Sequence, residues 1–168
     1  NIHCPQVDTA AQAAEIVAAS RYAPMGSRGM LGRGPGTDFE AGGLTPERLA
    51  FTNQQVFITV MLECGSAFDH LEAIAAMDGI DAITIGPTDL AQDLGVYGTP
   101  EMGKVLDEHR HRVLDACKRH GKVCAMLAGS VKEARYWRDA GALLLGYASD
   151  VDVMLAGYRN FMAEVNAG

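Results

Sequence analysis

One unit used five times constrains this chain most: a short apolar run of strand length, a turn residue, then a helix with apolar residues at three-and-four spacing. The runs are Ile2 to Gln6, Val56 to Leu62, Asp81 to Gly86, Lys122 to Ala128 and Ala142 to Tyr147. The second, VFITVML, is continuously apolar or β-branched, which suits a strand covered on both faces. Thr9 with Gln12, and Ser130 with Glu133, have capping-box spacing and open helices to about Tyr22 and Ala140. A helix from Ser66 turns Ala67, Leu71, Ile74 and Ala75 inward, and GPTDLAQDLGVYG (86–98) reads as a loop. Thr99 with Pro100 begins a long helix that Gly121 ends, Gly141 stops the next, and Asp150 or Asp152 starts a closing helix to about Val165.

Parallel neighbours need a crossover, and a helix is the usual one, so five such units predict an all-parallel α/β sheet. Two architectures fit. An open doubly wound parallel sheet is complete with five strands, whereas a (β/α)8 TIM barrel needs eight units and about 250 residues. With 168 residues, length alone favours the doubly wound sheet, and a 48% apolar share suits one domain rather than two. The dinucleotide form of that sheet is excluded, because QVDTAAQ follows the first run without a glycine. The glycines from Gly26 to Gly43 follow a helix rather than a strand and serve turns. A first residue Asn1 inside an apolar stretch predicts a piece of something longer.

A net charge of −7 with scattered basic residues argues against a nucleic-acid face. No apolar stretch approaches the roughly 18 residues of a membrane span, and there is no basic leader, so a soluble cytoplasmic protein is expected. Cys4, Cys64, Cys117 and Cys124 form no CxxC pair and read as reduced thiols, small and buried.

Ligands of parallel α/β folds bind beyond the carboxyl ends of strands. Glu63 ends the second run and Asp89 follows the third, so two carboxylates fall on one rim. Oxygen donors of this kind suit Mg²⁺ or Mn²⁺, while helix caps or solvated rim charges fit the same spacing. Cys64 beside Glu63 offers one thiolate without partner histidines, a poor tetrahedral zinc set. His109 and His111 are expected on a solvated helix face, His70 exposed in mid-helix, His120 near a helix end, and His3 packed within the first strand. No Ser, Cys or Lys has a recognisable activating neighbour.

The segments PQVDTAAQA (5–13), RYAPMGSRG (21–29), Leu62-Glu63, LEAIAAMDGIDAITIGPTDLAQDLG (71–95) and Gly121-Lys122 stand out together. They resemble the HpcH/HpaI aldolase family, within the pyruvate-kinase-like barrels, which includes 2,4-dihydroxyhept-2-ene-1,7-dioate aldolase and 2-keto-3-deoxy sugar acid aldolases. The resemblance implies a TIM barrel whose fourth to eighth units are present, residues 1–168 being a single domain, the C-terminal part of an aldolase-type barrel. It implies that Glu63 and Asp89 bind a divalent metal (Mg²⁺, Mn²⁺ or Co²⁺) and that Gly86, Pro87 and Thr88 receive the pyruvate carboxylate. The implied reaction is class II aldolase chemistry, cleaving or forming 4-hydroxy-2-oxo acids through a metal-bound pyruvate enolate, with an aldehyde as the second partner.

Two departures qualify that implication. The family's proton-transfer histidine and keto-contacting arginine belong to strands upstream of this chain, so its catalytic residues are unknown here. Met61 stands on the substrate side where the family usually has glutamine, and its thioether forms no strong hydrogen bond. A non-catalytic protein that binds a 2-oxo acid and metal, or an inactive fragment, is the alternative. The family also implies a homo-oligomer, a hexamer built from dimers that exchange their last helix.

Overall fold

Each strand pairs in parallel with its immediate successor in the chain. A doubly wound sheet reverses its strand order at a switch point, whereas a barrel adds strands in sequence, so this pairing removes the doubly wound alternative. The computed structural model describes residues 1–35, 39 and 43–167. Within it the chain divides into two compact units, Asn1–Cys124 and Ala125–Gly168.

The first unit contains β1 (Ile2–Cys4), β2 (Ile58–Leu62), β3 (Ala82–Ile85) and the first residues of β4 (Val123–Ala128). Its register places Cys4 beside Val60, Val60 beside Ile83 and Ile83 beside Cys124. Strand side chains alternate between faces. Ile58, Val60 and Leu62 turn one way and are fully buried, with Ala67, Ile74, Leu90 and Val113 completing the core. Thr59, Met61 and Glu63 follow the opposite phase.

Helix α1 (Ala10–Ser20) starts on the expected Thr9–Gln12 capping box. After the inward stripe Ala67, Leu71, Ile74 and Ala75, all buried, the expected single helix proves to be a 3₁₀ turn (Gly65–Asp69) and a short α3 (Leu71–Ala75). Helix α5 (Met102–His120) begins later than expected: Thr99 Oγ1 donates back to the Val96 carbonyl at 2.9 Å instead of capping. Its end at Gly121, φ 65°, is the left-handed stop that a glycine supplies at little cost. Helix α2 (Pro46–Gln55) has no counterpart in the five-unit pattern, because its one buried residue is the polar Asn53. Its start signals are nonetheless present, Thr45 accepting from the Arg48 amide with Pro46 in the first turn.

Arg21 ties the amino ends of these strands together. Its buried guanidinium donates to the Asn53 carbonyl, to Gly79 O at 3.0 Å and to Asp81 Oδ2 at 3.2 Å. Asp81 Oδ2 also accepts from the Ile58 amide at 2.8 Å, fixing where β2 begins.

In the second unit Ala125–Ala128 of β4 pair with β5 (Leu144–Tyr147). Helix α6 (Val131–Ala140) buries Trp137 and ends at Gly141. Its cap Ser130 accepts from Glu133 as expected, while Glu133 itself reaches back to the Gly129 amide. Helix α7 (Asp150–Asn166) starts on a Ser149–Asp152 capping box and leaves Met154, Tyr158, Phe161 and Met162 exposed. Among the described residues no helix is long and apolar enough to cross a membrane. Of the glycine-rich stretch, residues 36–38 and 40–42 lie outside the described residues.

Candidate active site

Glu63 is the first residue beyond β2 and shares the face of Met61, two positions earlier. The pairing of Leu62 with Ile85 sets it level with Gly86, the first residue beyond β3. Backbone bonds continue the ladder past the strand ends, Val7 N to Met61 O at 3.1 Å and Gly86 N to Leu62 O at 3.0 Å. On the β1 side, Gln6 adopts a left-handed φ of 55° and its N–H donates to Glu63 Oε2 at 2.7 Å. On the β3 side, a Cβ built on Gly86 would lie 2.8 Å from Glu63 Cδ and closer still to Cγ and Oε1. The carboxylate is therefore held between a donated amide and a bare Cα.

Gly86 also caps α4 (Pro87–Asp93), with Pro87 in its first turn and Asp89 within that turn. The segment 86–98 was expected as a loop; its first half is this helix, and Gly-Pro is its start signal rather than a turn. Pro87 is half-buried, Thr88 and Asp89 are exposed, and Leu90 anchors the helix in the core. Asp93 Oδ2 at the far end of α4 accepts from Gly65 N at 2.7 Å, linking the segment after β2 to the segment after β3. Beside Glu63, the Cys64 thiol donates to Asp8 Oδ1 at 3.0 Å and lies 3.1 Å from Ser66 Oγ.

Among the described residues no group of three or more His, Cys, Asp or Glu converges to hold a metal. Glu63 and Asp89 supply hard oxygen donors only. That set fits a cation such as Mg²⁺, which keeps several waters and takes one or two carboxylates, and does not fit a closed tetrahedral zinc site.

His109, expected on a solvated face, is half-buried, with Nδ1 2.8 Å from Val105 O and its ring edge-on to Phe68. His111 is also half-buried. His120 lies 2.9 Å from Glu72 Oε2, and His70 is exposed at the break between the 3₁₀ turn and α3 rather than in mid-helix. His3 is exposed, not packed.

The family model for HpcH/HpaI aldolase/citrate lyase matches residues 1–156. The chain belongs to that family. It is 37% identical over 153 residues to a 5-keto-4-deoxy-D-glucarate aldolase of Klebsiella pneumoniae, covering 91% of this chain and 58% of that protein. To a hydroxypyruvate/pyruvate aldolase of Chromohalobacter salexigens it is 37% identical over 150 residues, 89% of this chain and 58% of that protein. The crystal structure of an HpcH/HpaI aldolase from Desulfitobacterium hafniense superposes with a TM-score of 0.84 at 28% identity, covering 97% of this chain and 62% of that one. The chain thus spans less than two thirds of the length of these relatives. Its strands form part of a (β/α) barrel, the architecture that the HpcH/HpaI resemblance implies.

Gln6 and Gly86 were not among the expected parts of a clamp on Glu63. A main-chain donor carries no side-chain signature, but a glycine directly after a strand that ends beside a carboxylate is a readable sign of close approach.

Proposed function

We propose that the full-length protein is a carbon–carbon lyase of the aldehyde-lyase class that cleaves or forms 4-hydroxy-2-oxo acids, with pyruvate and an aldehyde as partners. The observation that carries this reading is the fixed carboxylate of Glu63, clamped by Gln6 and Gly86 at the rim, in a chain similar to two named aldolases. Glu63 and Asp89 hold a divalent metal, Mg²⁺, Mn²⁺ or Co²⁺. Such a cation supplies a Lewis acid that polarises the oxygens of a 2-oxo acid. Gln6 and Gly86 orient Glu63 before any ligand arrives, which lowers the ordering cost of binding. The backbone of Gly86, Pro87 and Thr88 receives the carboxylate of the 2-oxo acid.

Residues 1–168 are read as the C-terminal part of one barrel domain, so the acid and base that move protons are sought in the rest of the protein. Four free cysteines fit a reducing cytoplasm. The exposed apolar side chains of α7 fit burial against another copy, in line with a homo-oligomer. A mass measurement on the full-length protein checks this last point; a monomer contradicts it.

The test is pyruvate release by the full-length protein with each metal, with and without chelator. Metal-dependent release is expected, and turnover unaffected by chelator contradicts the metal's part. Met61 favours a second reading, a binding protein without turnover, because its half-buried thioether, two positions before Glu63, itself offers no strong hydrogen bond. Calorimetric binding of pyruvate or oxalate with no cleavage across an aldehyde panel supports the second reading, and a Met61→Gln variant that gains activity identifies its cause.

A further inference from the structure

Cys117 and Cys124 take no part in the rim. Cys117 lies in the last turn of α5 and Cys124 is the second residue of β4. Between them the chain reverses through Gly121, and Lys122 N donates to Cys117 O at 2.9 Å. That reversal brings the two side chains together. The Cys117 thiol donates to the carbonyl of Val123, the residue bonded to Cys124, at 3.6 Å, and Cys124, in register with Ile83 and Val60, faces the same helix-covered layer of the sheet. Both are buried, at 1% and 2% exposure, whereas Cys4 on β1 and Cys64 beyond β2 are half-buried.

The two thiols are not equivalent. The neighbouring Cys124 thiol, the Ile83 N–H and the charge of Lys122 outweigh burial and hold the Cys117 thiol below its usual range. The Cys117 thiol and burial push Cys124 up.

We propose that Cys117 and Cys124 are a redox-responsive dithiol, converted by peroxide into an intramolecular disulfide that staples the end of α5 to the start of β4. The Cys117 thiolate attacks one peroxide oxygen and the O–O bond breaks, leaving a sulfenic acid and, after protonation, one water. The Cys124 sulfur then displaces the sulfenic hydroxyl, forming the S–S bond and releasing a second water. Two thiols and one hydrogen peroxide give one disulfide and two waters, the two sulfurs being oxidised and the peroxide reduced. Burial favours a small uncharged oxidant over a bulky disulfide such as oxidised glutathione.

The experiment treats the folded chain with hydrogen peroxide, alkylates the remaining thiols and maps the peptides by mass. One new linked pair joining Cys117 to Cys124 is expected, with the intact mass lower by the two thiol hydrogens and restored by dithiothreitol. Cys117→Ser and Cys124→Ser, each checked for native circular dichroism, should both lose the link, and Cys117 in the second should gain oxygen instead. Cys117→Ala and Cys124→Ala serve where a serine variant fails to fold. The proposal is overturned if Cys117 and Cys124 stay fully alkylatable while Cys4 or Cys64 is oxidised. It is equally overturned if no thiol reacts, or if the link forms only after denaturation.

Discussion

The backbone N–H of Gln6 donates to Glu63 Oε2 at 2.7 Å, so a carboxylate at the end of β2 is held from a position 57 residues earlier in the chain. The same Gln6 has a φ of 55°, a conformation that costs a residue with a Cβ about 1–2 kcal/mol. Gln6→Gly keeps the donor and relieves that cost, and should raise stability by up to about 1 kcal/mol. Gln6→Pro removes the N–H and cannot adopt the φ, and should lower stability by about 2 kcal/mol or more. Urea unfolding of the two variants should move in opposite directions.

Gly86→Ala puts a methyl group where the Glu63 side chain lies. Either the carboxylate or the backbone must shift, at about 1–3 kcal/mol. Because misplacement by about 1 Å can reduce turnover about 100-fold, the full-length variant should lose activity far more than its melting temperature suggests. Pyruvate release and a melting curve on the same sample compare the two effects.

The contrast between Glu63 and its clamp shows where sequence reading ends. Strand runs and caps such as Thr9–Gln12 are local and could be read directly, as could the placing of Glu63 and Asp89 just beyond strands. Helix α2 escaped because it buries a single polar residue, Asn53, and so has no apolar period to count. Helix α4 was hidden by its flanking glycines, although Gly86-Pro87 is a start signal. The charged neighbours of His109 predict a solvated ring, yet the contact that covers it comes from Phe68, in the 3₁₀ turn after β2. Such tertiary approach is not written in any one segment.

Arg21 is buried and serves three acceptors at once, Asn53 O, Gly79 O and Asp81 Oδ2. Arg21→Met leaves two carbonyls without this donor and Asp81 with the Ile58 amide but no cation, and should cost about 3 kcal/mol. Arg21→Lys keeps the charge without the planar fork and should fall between Arg21→Met and the wild type. Chemical denaturation of the three proteins gives the order.

Glu72 accepts from Arg119 and from His120, and these bonds, Arg119 first, hold its carboxyl below the usual carboxylate range. A lowered folded pKa means stability that is present above the unfolded carboxylate pKa and is lost as pH falls through the folded one. The melting temperature of the wild type should therefore exceed that of Glu72→Gln at a pH of about 6, and the gap should close as the pH is taken down towards about 2. A gap independent of pH across that range contradicts the pairing.

Thermal unfolding with and without Mn²⁺, for the wild type, Glu63→Gln and Asp89→Asn, tests most directly whether Glu63 and Asp89 share one cation. At about 100 times its dissociation constant the ion should stabilise the wild type by about 2.7 kcal/mol, provided that the unfolded chain does not bind it. Each substitution should abolish that increment while leaving the metal-free protein no less stable, since the amide side chain of Glu63→Gln would still offer an oxygen to the Gln6 N–H. A metal response that survives both substitutions contradicts the shared site. So does a loss of about 1 kcal/mol in metal-free protein with no response to Mn²⁺ in the wild type, the behaviour of carboxylates that only cap helices or pair at the rim.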